Sequence, residues 1–320
     1  MKKISLLLVL ALLLGLTACG PKAPEAETPP EEAGPLRLET LKVEISRGGL
    51  GTEQLAKAVK ELPEALQTAL AAAGAEVGEL TVTVGSSSSA TAQALAEGHV
   101  DLAFLPAEAA LRDGAAAILL ADAQRPQPDG ELREPGASAL LRAGASPYGG
   151  QLSARSAGDA PLTWEELKNA RWGVSETGAA AACFDLWLSA NFDSARMAEL
   201  PQVTLYPDDA ALLDDALLGE VDALVICREP WAQTAEVDAE EALPLLAETE
   251  PLCTRLAAVS PAREELAGDA FAAALEQALR QLEGERPELM EALGAARFTV
   301  VEEEDLDSAR RFLALEDAAP

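Results

Sequence analysis

The chain contains the same short order of elements twice, and this repeat constrains its fold more than any other feature. Each copy has a strand, a polar loop, a helix that ends at a glycine, and an apolar strand. The strands are residues 81–84 and 102–105 in the first copy, and residues 203–205 and 223–226 in the second. Gly98 and Gly219 lie 121 positions apart, each where a helix end requires a positive φ. Such units predict parallel strands covered by helices.

A strand, a loop and a helix also precede each copy. Residues 41–46 predict a strand that leads into a helix at 53–73. Residues 171–174 predict another, which leads into a helix at 179–190. Two similar α/β lobes in one chain predict a cleft between them, because ligands of open α/β sheets bind beyond the carboxyl ends of the strands.

The order of elements further predicts how the two lobes are connected. We expect residues 37–137 and 251–320 to form the first lobe and residues 138–250 to form the second. The chain is then expected to cross between them near residues 136–140 and 251–256, which would act as a hinge.

The start of the chain has the features of a bacterial lipoprotein signal peptide, predicted for residues 1–18. Two lysines precede an apolar run at residues 4–16, which is short for a bilayer span. The run ends in Leu16-Thr17-Ala18-Cys19, where small residues precede a cysteine that can carry a diacylglycerol. We therefore predict lipidation at Cys19, with an ordinary secretory signal and an incidental cysteine as the alternative. Residues 19–36, rich in Pro and Glu, predict a disordered tether.

The charge balance disfavours several classes of function. Asp and Glu number 54 against 24 Lys and Arg, giving a net charge of −30, so a nucleic-acid partner is excluded. The single histidine, His99, excludes multi-histidine metal sites and disfavours a histidine-based triad. We expect no catalytic residue, no metal and no cofactor. Cys183, Cys227 and Cys253 lie in apolar runs and predict buried free thiols, with a Cys227–Cys253 disulfide as the alternative.

Two loops carry the residues expected to bind a ligand. They comprise Ser86, Ser87, Ser88 and Ser89 in the first lobe, and Ser175, Glu176, Thr177 and Gly178 in the second. Each loop follows a strand and opens a helix, where hydroxyls and unpaired backbone N–H groups favour an oxyanion. The alternative for the serines is a helix cap within a solvated loop. Asp101 and Asp222 recur at equivalent positions, which favours a capping role in the fold over ligand contact.

Three segments resemble the phosphate/phosphite/phosphonate-binding proteins of ABC importers. They are residues 93–106, residues 167–174 together with the Ser/Thr/Gly helix start that follows, and residues 288–294. By order of elements the similarity extends over nearly all of residues 38–315. The resemblance implies the α/β type 2 periplasmic-binding-protein fold, in which two lobes close about a hinge on a small ligand in the interlobe cleft. It also implies an ABC permease and an ATPase as partners.

The resemblance extends to ligand contacts. The second-lobe motif of the family ends in Ser-Thr-Ser-Gly; Ser175, Thr177 and Gly178 match it, and Glu176 departs from it. A tyrosine of the family aligns with Ser88, and Tyr206 lies near the place of a second-lobe histidine. An oxyanion of phosphate or phosphonate type is therefore the expected ligand. Because the Glu176 carboxylate would repel an anion that it faces, an amino-bearing or cationic solute is the alternative.

Together these features predict a lipid-anchored, extracytoplasmic substrate-binding component of an ABC importer. We expect a monomer that has no enzymatic activity and contacts the membrane through its lipid alone. The alternatives are a sensing or structural lipoprotein on the same fold and a hydrolase on a two-lobe scaffold. The hydrolase is disfavoured because the chain has neither a G-x-S-x-G motif nor a cluster of metal ligands.

Overall fold

A computed structural model describes residues 36–47, 51–112, 117–123, 135–145, 152, 161–235 and 239–318. The predicted signal peptide, the lipidation site Cys19 and the tether up to residue 35 lie outside the described residues. Residue 36, assigned above to the end of the tether, belongs to the first strand. Within the described ranges, no helix has both the length and the apolar character needed to cross a bilayer.

The described residues contain strands and helices in alternation. The strands are β1 (Leu36–Ile45), β2 (Ala75–Val84), β3 (Leu102–Pro106), β4 (Ala117–Asp122), β5 (Ala139–Ala143), β6 (Trp172–Ser175), β7 (Val203–Tyr206), β8 (Ala223–Cys227), β9 (Leu245–Glu248), β10 (Arg255–Val259) and β11 (Phe298–Val300). The α-helices are α1 (Thr52–Ala72), α2 (Ser88–Ala96), α3 (Ala107–Arg112), α4 (Trp164–Asn169), α5 (Ala180–Asn191), α6 (Asp209–Leu218), α7 (Arg228–Thr234), α8 (Ala239–Ala242), α9 (Asp269–Glu285), α10 (Pro287–Leu293) and α11 (Asp307–Asp317).

The strands form two sheets that share one order. The first sheet runs β11-β4-β10-β3-β1-β2 and the second runs β7-β6-β8-β5-β9. In each sheet three strands are parallel, β2-β1-β3 or β7-β6-β8. An antiparallel strand from elsewhere in the chain, β10 or β5, then pairs beside them. This repeated order is the predicted two-lobe α/β fold, and the two copies of the sequence repeat lie in different sheets.

The helix of each repeat ends as its glycine predicts. Gly98 follows α2 with φ 74° and Gly219 follows α6 with φ 75°. A residue with a Cβ is disfavoured at such angles, so both helices stop there and the chain turns into the buried strand of the repeat.

Two segments cross between the sheets side by side. Ala137 and Leu252 exchange two backbone hydrogen bonds, each with an N–O distance of 3.0 Å. Gly136 has φ 92°, and a Cβ on it would lie 2.7 Å from the carbonyl carbon of Leu252. The crossing is therefore a short antiparallel pair whose close approach requires glycine.

Alternating side chains along β3 show where the core lies. Leu102 and Phe104 pack on one face into a cluster formed with α1 and α9. Ala103 and Leu105 pack on the other face into a cluster that continues to Val174 of the second sheet. Both faces of this strand are therefore buried, as expected for a parallel sheet covered by helices.

The C-terminal helix contacts elements of both sheets. Asp317 of α11 pairs with Arg112 of α3 at 2.8 Å, and Glu316 pairs with Arg196, which follows α5, at 2.5 Å. Residues 251–320 are predicted to belong to the first lobe, but α11 also contacts the segment that follows α5.

Candidate functional site

A cleft of about 260 Å³ opens between the two sheets, at the carboxyl ends of their parallel strands. The residues that line it are Asp122, Ala123, Gly136, Ala137, Gly178, Ala179, Cys227, Glu229, Pro230, Gln233, Thr254, Gly294, Ala295 and Ala296. One side is formed by the end of β4, the residue before β10 and the segment after α10, and the other by the end of β8, the start of α5 and α7. Residues 136 and 137 of the crossing segment complete the lining. This is the location at which open α/β sheets bind ligands.

Asp122, the last residue of β4, places a carboxylate on the cleft wall. Its Oδ1 accepts the backbone N–H groups of Thr254 at 2.9 Å and Arg255 at 3.0 Å, and its Oδ2 accepts the Thr254 hydroxyl at 2.6 Å. Burial raises the pKa of Asp122, although these hydrogen bonds oppose the shift. These neutral donors fix the carboxylate in place.

Arg255 lies behind the cleft, where its guanidinium donates hydrogen bonds to three backbone carbonyls. Its Nη2 donates to the carbonyls of Ser46 at 2.9 Å and Phe104 at 3.2 Å, and its Nε donates to that of Leu293 at 2.8 Å. Burial lowers the pKa of Arg255 to about 10, so the guanidinium stays charged at neutral pH. The cation joins β1, β3 and the end of α10 beneath the cleft.

The first-lobe serines form the start of α2. The Ser87 Oγ accepts the N–H of Ala90 at 3.1 Å, which makes Ser87 the helix N-cap. The Ser88 Oγ lies 2.9 Å from the Oγ of Ser46 at the end of β1. Ser86 and Ser89 are exposed. The capping interaction predicted as the alternative is therefore present, and ligand contact by these serines stays a prediction.

The hydroxyls of the second-lobe loop bind a carboxylate of the chain itself. Oδ1 of Asp209 lies 2.6 Å from the Ser175 Oγ, and its Oδ2 lies 2.6 Å from the Thr177 Oγ1. The Ser175 Oγ also accepts the Thr177 N–H at 3.0 Å. Glu176, between them, has an exposed side chain, and its N–H donates to the carbonyl of Tyr206 at 2.8 Å.

Tyr206 lies on the neighbouring strand, β7, with its hydroxyl directed to α6. The hydroxyl donates to Oδ2 of Asp215 at 2.7 Å. Desolvation and the hydrogen bond to Asp215 raise the pKa of Tyr206 to about 12. The phenol is therefore neutral at physiological pH, and its hydroxyl proton is donated to Asp215 within the second lobe.

Gly178 belongs both to the predicted loop and to the cleft lining. It has φ 62°, and a Cβ there would lie 3.3 Å from the Cys227 Sγ. Ala179, the N-cap of α5, offers no side-chain cap to the first turn of the helix. Gly178 therefore brings the backbone to the cleft beside a helix N-terminus that is suited to negative charge.

Three cysteines pack around this region as free thiols. Cys183, Cys227 and Cys253 are all buried and unpaired. Burial raises the pKa of Cys227 to about 11 and that of Cys183 and Cys253 to about 12. The preferred interpretation of buried free thiols agrees with this arrangement, and the Cys227–Cys253 disulfide is not formed.

The structure places only part of the predicted binding residues at the cleft. Of the nine predicted binding residues, all of which are described, Gly178 alone lines this cleft. Ser175 and Thr177 precede it in the same loop, and their hydroxyls lie 2.7 Å apart. The residues predicted as contacts do not include Asp122, Thr254, Glu229 or Asp209. Asp122 could have been predicted, because it is an acidic residue at the end of an apolar strand.

The repeated strand order and the cleft between the carboxyl edges define a two-lobe protein of the periplasmic-binding class. The sequence profile of one family, described as the phosphonate-type periplasmic substrate-binding protein of ABC transporters, matches residues 51–306. The chain belongs to this family. It is therefore an extracytoplasmic substrate-binding protein of an ABC transporter for phosphonate-like ligands, as the resemblance implied. Proteins of this class bind small ligands and deliver them to a permease and an ATPase.

Several solved structures also align with the chain. PhnD1 from Prochlorococcus marinus (MIT 9301), solved with methylphosphonate, is 14% identical over 88% of this chain and 99% of its own, with a TM-score of 0.45. XAC2383 from Xanthomonas citri, solved with ATP, is 14% identical over 88% and 100%, with a TM-score of 0.48. SsuA from Xanthomonas axonopodis pv. citri, solved with MOPS, is 18% identical over 90% and 96%, with a TM-score of 0.38. No curated protein matches the chain significantly.

Proposed function

We propose that this protein is a lipid-anchored component of an ABC importer that captures a small oxyanion, of phosphate or phosphonate type, between two lobes. The observation that carries the proposal is the cleft of about 260 Å³, whose lining comes from both sheets. A cleft of this size suits a small solute. The lobes, residues 37–137 with 251–320 and residues 138–250, close about the paired crossing segments.

The start of α5 supports an anionic ligand. Its first-turn N–H groups receive no side-chain cap from Ala179, and the helix dipole adds positive potential at this end. The proposed contacts are Ser86, Ser87, Ser88 and Ser89 of the first lobe, and Ser175, Glu176, Thr177, Gly178 and Tyr206 of the second. Among them Gly178 lines the cleft, which supports its backbone N–H as a ligand contact.

A second candidate is an amino-bearing or cationic solute. The described cleft lining contains two carboxylates, Asp122 and Glu229, and no Lys or Arg side chain. An ammonium group placed beside Asp122 would gain charge-assisted hydrogen bonds, whereas an oxyanion at the same place would be repelled. The sign of the ligand charge near Asp122 therefore distinguishes the two candidates.

The sequence before the first strand supports a membrane anchor, and the family supports the proposed partners. We propose diacylglycerol attachment at Cys19, a tether over residues 19–36, and a monomer that delivers its solute to a permease and an ATPase. The protein itself performs no catalysis in this scheme.

The test is a solute panel on the intact protein. Phosphate, phosphite, methylphosphonate and methanesulfonate form the anionic arm, and ethanolamine and choline form the cationic arm. We expect an anion to raise the melting temperature and to reduce the radius of gyration measured by solution scattering. Ligand-induced stabilisation confined to the cationic arm, or the absence of compaction with any solute, contradicts the oxyanion proposal.

Asp122→Asn then reports the sign of the ligand charge. The substitution preserves shape and removes one negative charge from the cleft, so calorimetry should show tighter binding of an anion and weaker binding of an ammonium compound. Asp214→Asn, at an exposed position of α6, is the control with the same change in net charge. Equal affinities in the two variants would place the ligand away from Asp122.

A further inference from the structure

The carboxylate of Asp209 occupies both hydroxyls of the second-lobe loop. Its two oxygens lie 2.6 Å from the Ser175 Oγ and 2.6 Å from the Thr177 Oγ1. These hydroxyls also lie 2.7 Å from each other. The three side chains, Ser175, Thr177 and Asp209, are hereafter the hydroxyl–carboxylate cluster.

Within the cluster, the two hydroxyls that could donate to an oxyanion already donate to Asp209. A hydroxyl has one proton to donate, whereas an ionised carboxylate only accepts. With Asp209 ionised, both hydroxyl protons are directed to its oxygens, and the Ser175 Oγ accepts the Thr177 N–H as well. Neither hydroxyl then has a proton available for a ligand oxygen.

Asp209 is not required for capping the helix on which it lies. The preceding residue, Asp208, is the N-cap of α6, and its Oδ1 accepts the Ala210 N–H at 3.0 Å. The carboxylate of Asp209 instead accepts hydrogen bonds from the β6–α5 loop, which is not part of its own helix. This division of roles between adjacent aspartates provides a matched pair for experiment.

The cluster lies beside the proposed ligand position. Ser175 is buried at the carboxyl end of β6, and Thr177 directly precedes Gly178, which lines the cleft. A ligand oxyanion that used the two hydroxyls would have to take the place of the Asp209 carboxylate. While that carboxylate remained, the two negative charges would repel each other at short distance.

We infer that Asp209 is a specificity-determining residue, an internal competitor that weakens the binding of small inorganic oxyanions at the second-lobe hydroxyls. The inference rests on the proposed function, because it assumes that ligands are bound at the β6–α5 loop. A solute that places an anion here must displace Asp209. Its apparent affinity is therefore its intrinsic affinity multiplied by the fraction of protein in which the hydroxyls are free. Inorganic phosphate, which has no other group with which to gain affinity, is the sharpest probe.

The experiment compares two neighbouring aspartates in the intact protein. Calorimetry with inorganic phosphate is carried out on the unmodified protein, Asp209→Asn and Asp208→Asn, at one pH and ionic strength. Both substitutions change the net charge equally, and asparagine remains a good N-cap at position 208. We expect Asp209→Asn to bind phosphate at least about tenfold more tightly than Asp208→Asn, because a competing charge is removed and a hydroxyl is freed.

Adding Thr177→Ala to Asp209→Asn should reduce the gain, because the Thr177 hydroxyl is lost while the competing charge stays removed. Asp209→Ala is the second variant should Asp209→Asn fail to fold, with thermal melting as the check. Equal phosphate affinity in the Asp209 and Asp208 variants, weaker binding in the Asp209 variant, or a gain that Thr177→Ala leaves undiminished each overturns the inference. The proposed function is judged separately, from the solute panel on the unmodified protein.

Discussion

Asp101 and Asp222 make the same pair of hydrogen bonds, one residue in each sheet. Oδ2 of Asp101 accepts the N–H of Lys42 at 2.8 Å, and Oδ2 of Asp222 accepts the N–H of Arg171 at 2.8 Å. The N–H of each aspartate returns to the carbonyl of the same partner, at 2.9 Å for Asp101 and 2.8 Å for Asp222. Each carboxylate thus ties the loop before a buried strand to the neighbouring parallel strand, which is the capping role that their recurrence indicated.

Loss of the Asp222 carboxylate should destabilise the second sheet. Arg171 donates to it through its backbone N–H, its Nε at 3.1 Å and its Nη2 at 2.8 Å. Asp222→Ala leaves these donors without their acceptor, and we expect a loss of about 1–3 kcal/mol in the free energy of unfolding, reduced by solvent screening of the guanidinium. Denaturant titration measures it, with the exposed Asp214→Ala as the control expected to change by less than about 0.5 kcal/mol.

The Asp222 contribution should depend on pH with a defined sign. Burial alone would raise the pKa of Asp222, but the hydrogen bonds and the charge of Arg171 outweigh it and lower the pKa. The stabilisation is therefore complete above the unfolded value of 3.8 and is lost as the pH falls through the folded value. The difference between parent and Asp222→Ala should stay constant from about pH 6 to 8 and shrink below about pH 4. A difference that grows in acid would contradict this assignment.

The crossing pair should be sensitive to a side chain at Gly136. Gly136 and Gly74 have nearly the same φ, 92° and 91°, but a Cβ would meet the Leu252 backbone at the first and nothing within 4 Å at the second. Gly74→Ala should lower the free energy of unfolding by about 1–2 kcal/mol, because a residue with a Cβ is strained at this φ even where nothing crowds it. Gly136→Ala should reduce it further and diminish ligand-induced compaction. Equal losses in urea titrations of the two variants would mean that the close approach at the crossing contributes no stability.

Replacing Glu176 should change affinity according to the charge of the ligand. Its carboxylate is exposed beside the cleft loop. Glu176→Gln should strengthen binding of an oxyanion by about two- to fivefold, and should weaken binding of an ammonium compound similarly, because solvent screens an exposed charge. Calorimetry checks the effect against Glu241→Gln, another exposed carboxylate of the second lobe. Identical affinities in both variants would remove Glu176 from the set of ligand contacts.

Removal of the Cys19 thiol should release the protein from the membrane without affecting the fold. Cys19 lies before the first strand, so we expect Cys19→Ser to retain the parent melting temperature and to move from the detergent phase to the aqueous phase. Incorporation of labelled fatty acid should be lost in parallel. A variant that still partitions with detergent would be evidence against the lipoprotein signal.

The remaining thiols should react only after unfolding. With pKa values of about 11 for Cys227 and about 12 for Cys183 and Cys253, less than about 1% of each is thiolate at pH 8, and all three are buried. In Cys19→Ser, a disulfide-exchange reagent should therefore find almost no reactive thiol in the native protein and three in denaturant. One thiol in denaturant would show that a pair had oxidised.

Much of the site could not be predicted because its contacts join distant parts of the chain. The recurrence of Asp101 and Asp222 at equal spacing indicated their role, since each acts on the strand beside its own repeat. Asp122 and Thr254 are 132 positions apart, and they meet only because β10 inserts antiparallel between β3 and β4. No local pattern encodes that insertion.

What the sequence determined by itself is the set of local structures: the two βαβ units, the glycines that end their helices, and the loops that follow their strands. These follow from the 3.6-residue and two-residue periodicities and from the φ preference of glycine, which act over a few residues. The tertiary structure decided which donors remain for a ligand. Ser175 and Thr177 have the residue types that bind an oxyanion, but the pairing of β6 with β7 brings Asp209 within 2.6 Å of both. Because a hydrogen-bond donor can be satisfied by any acceptor that the fold places beside it, the availability of these hydroxyls depends on the whole second lobe.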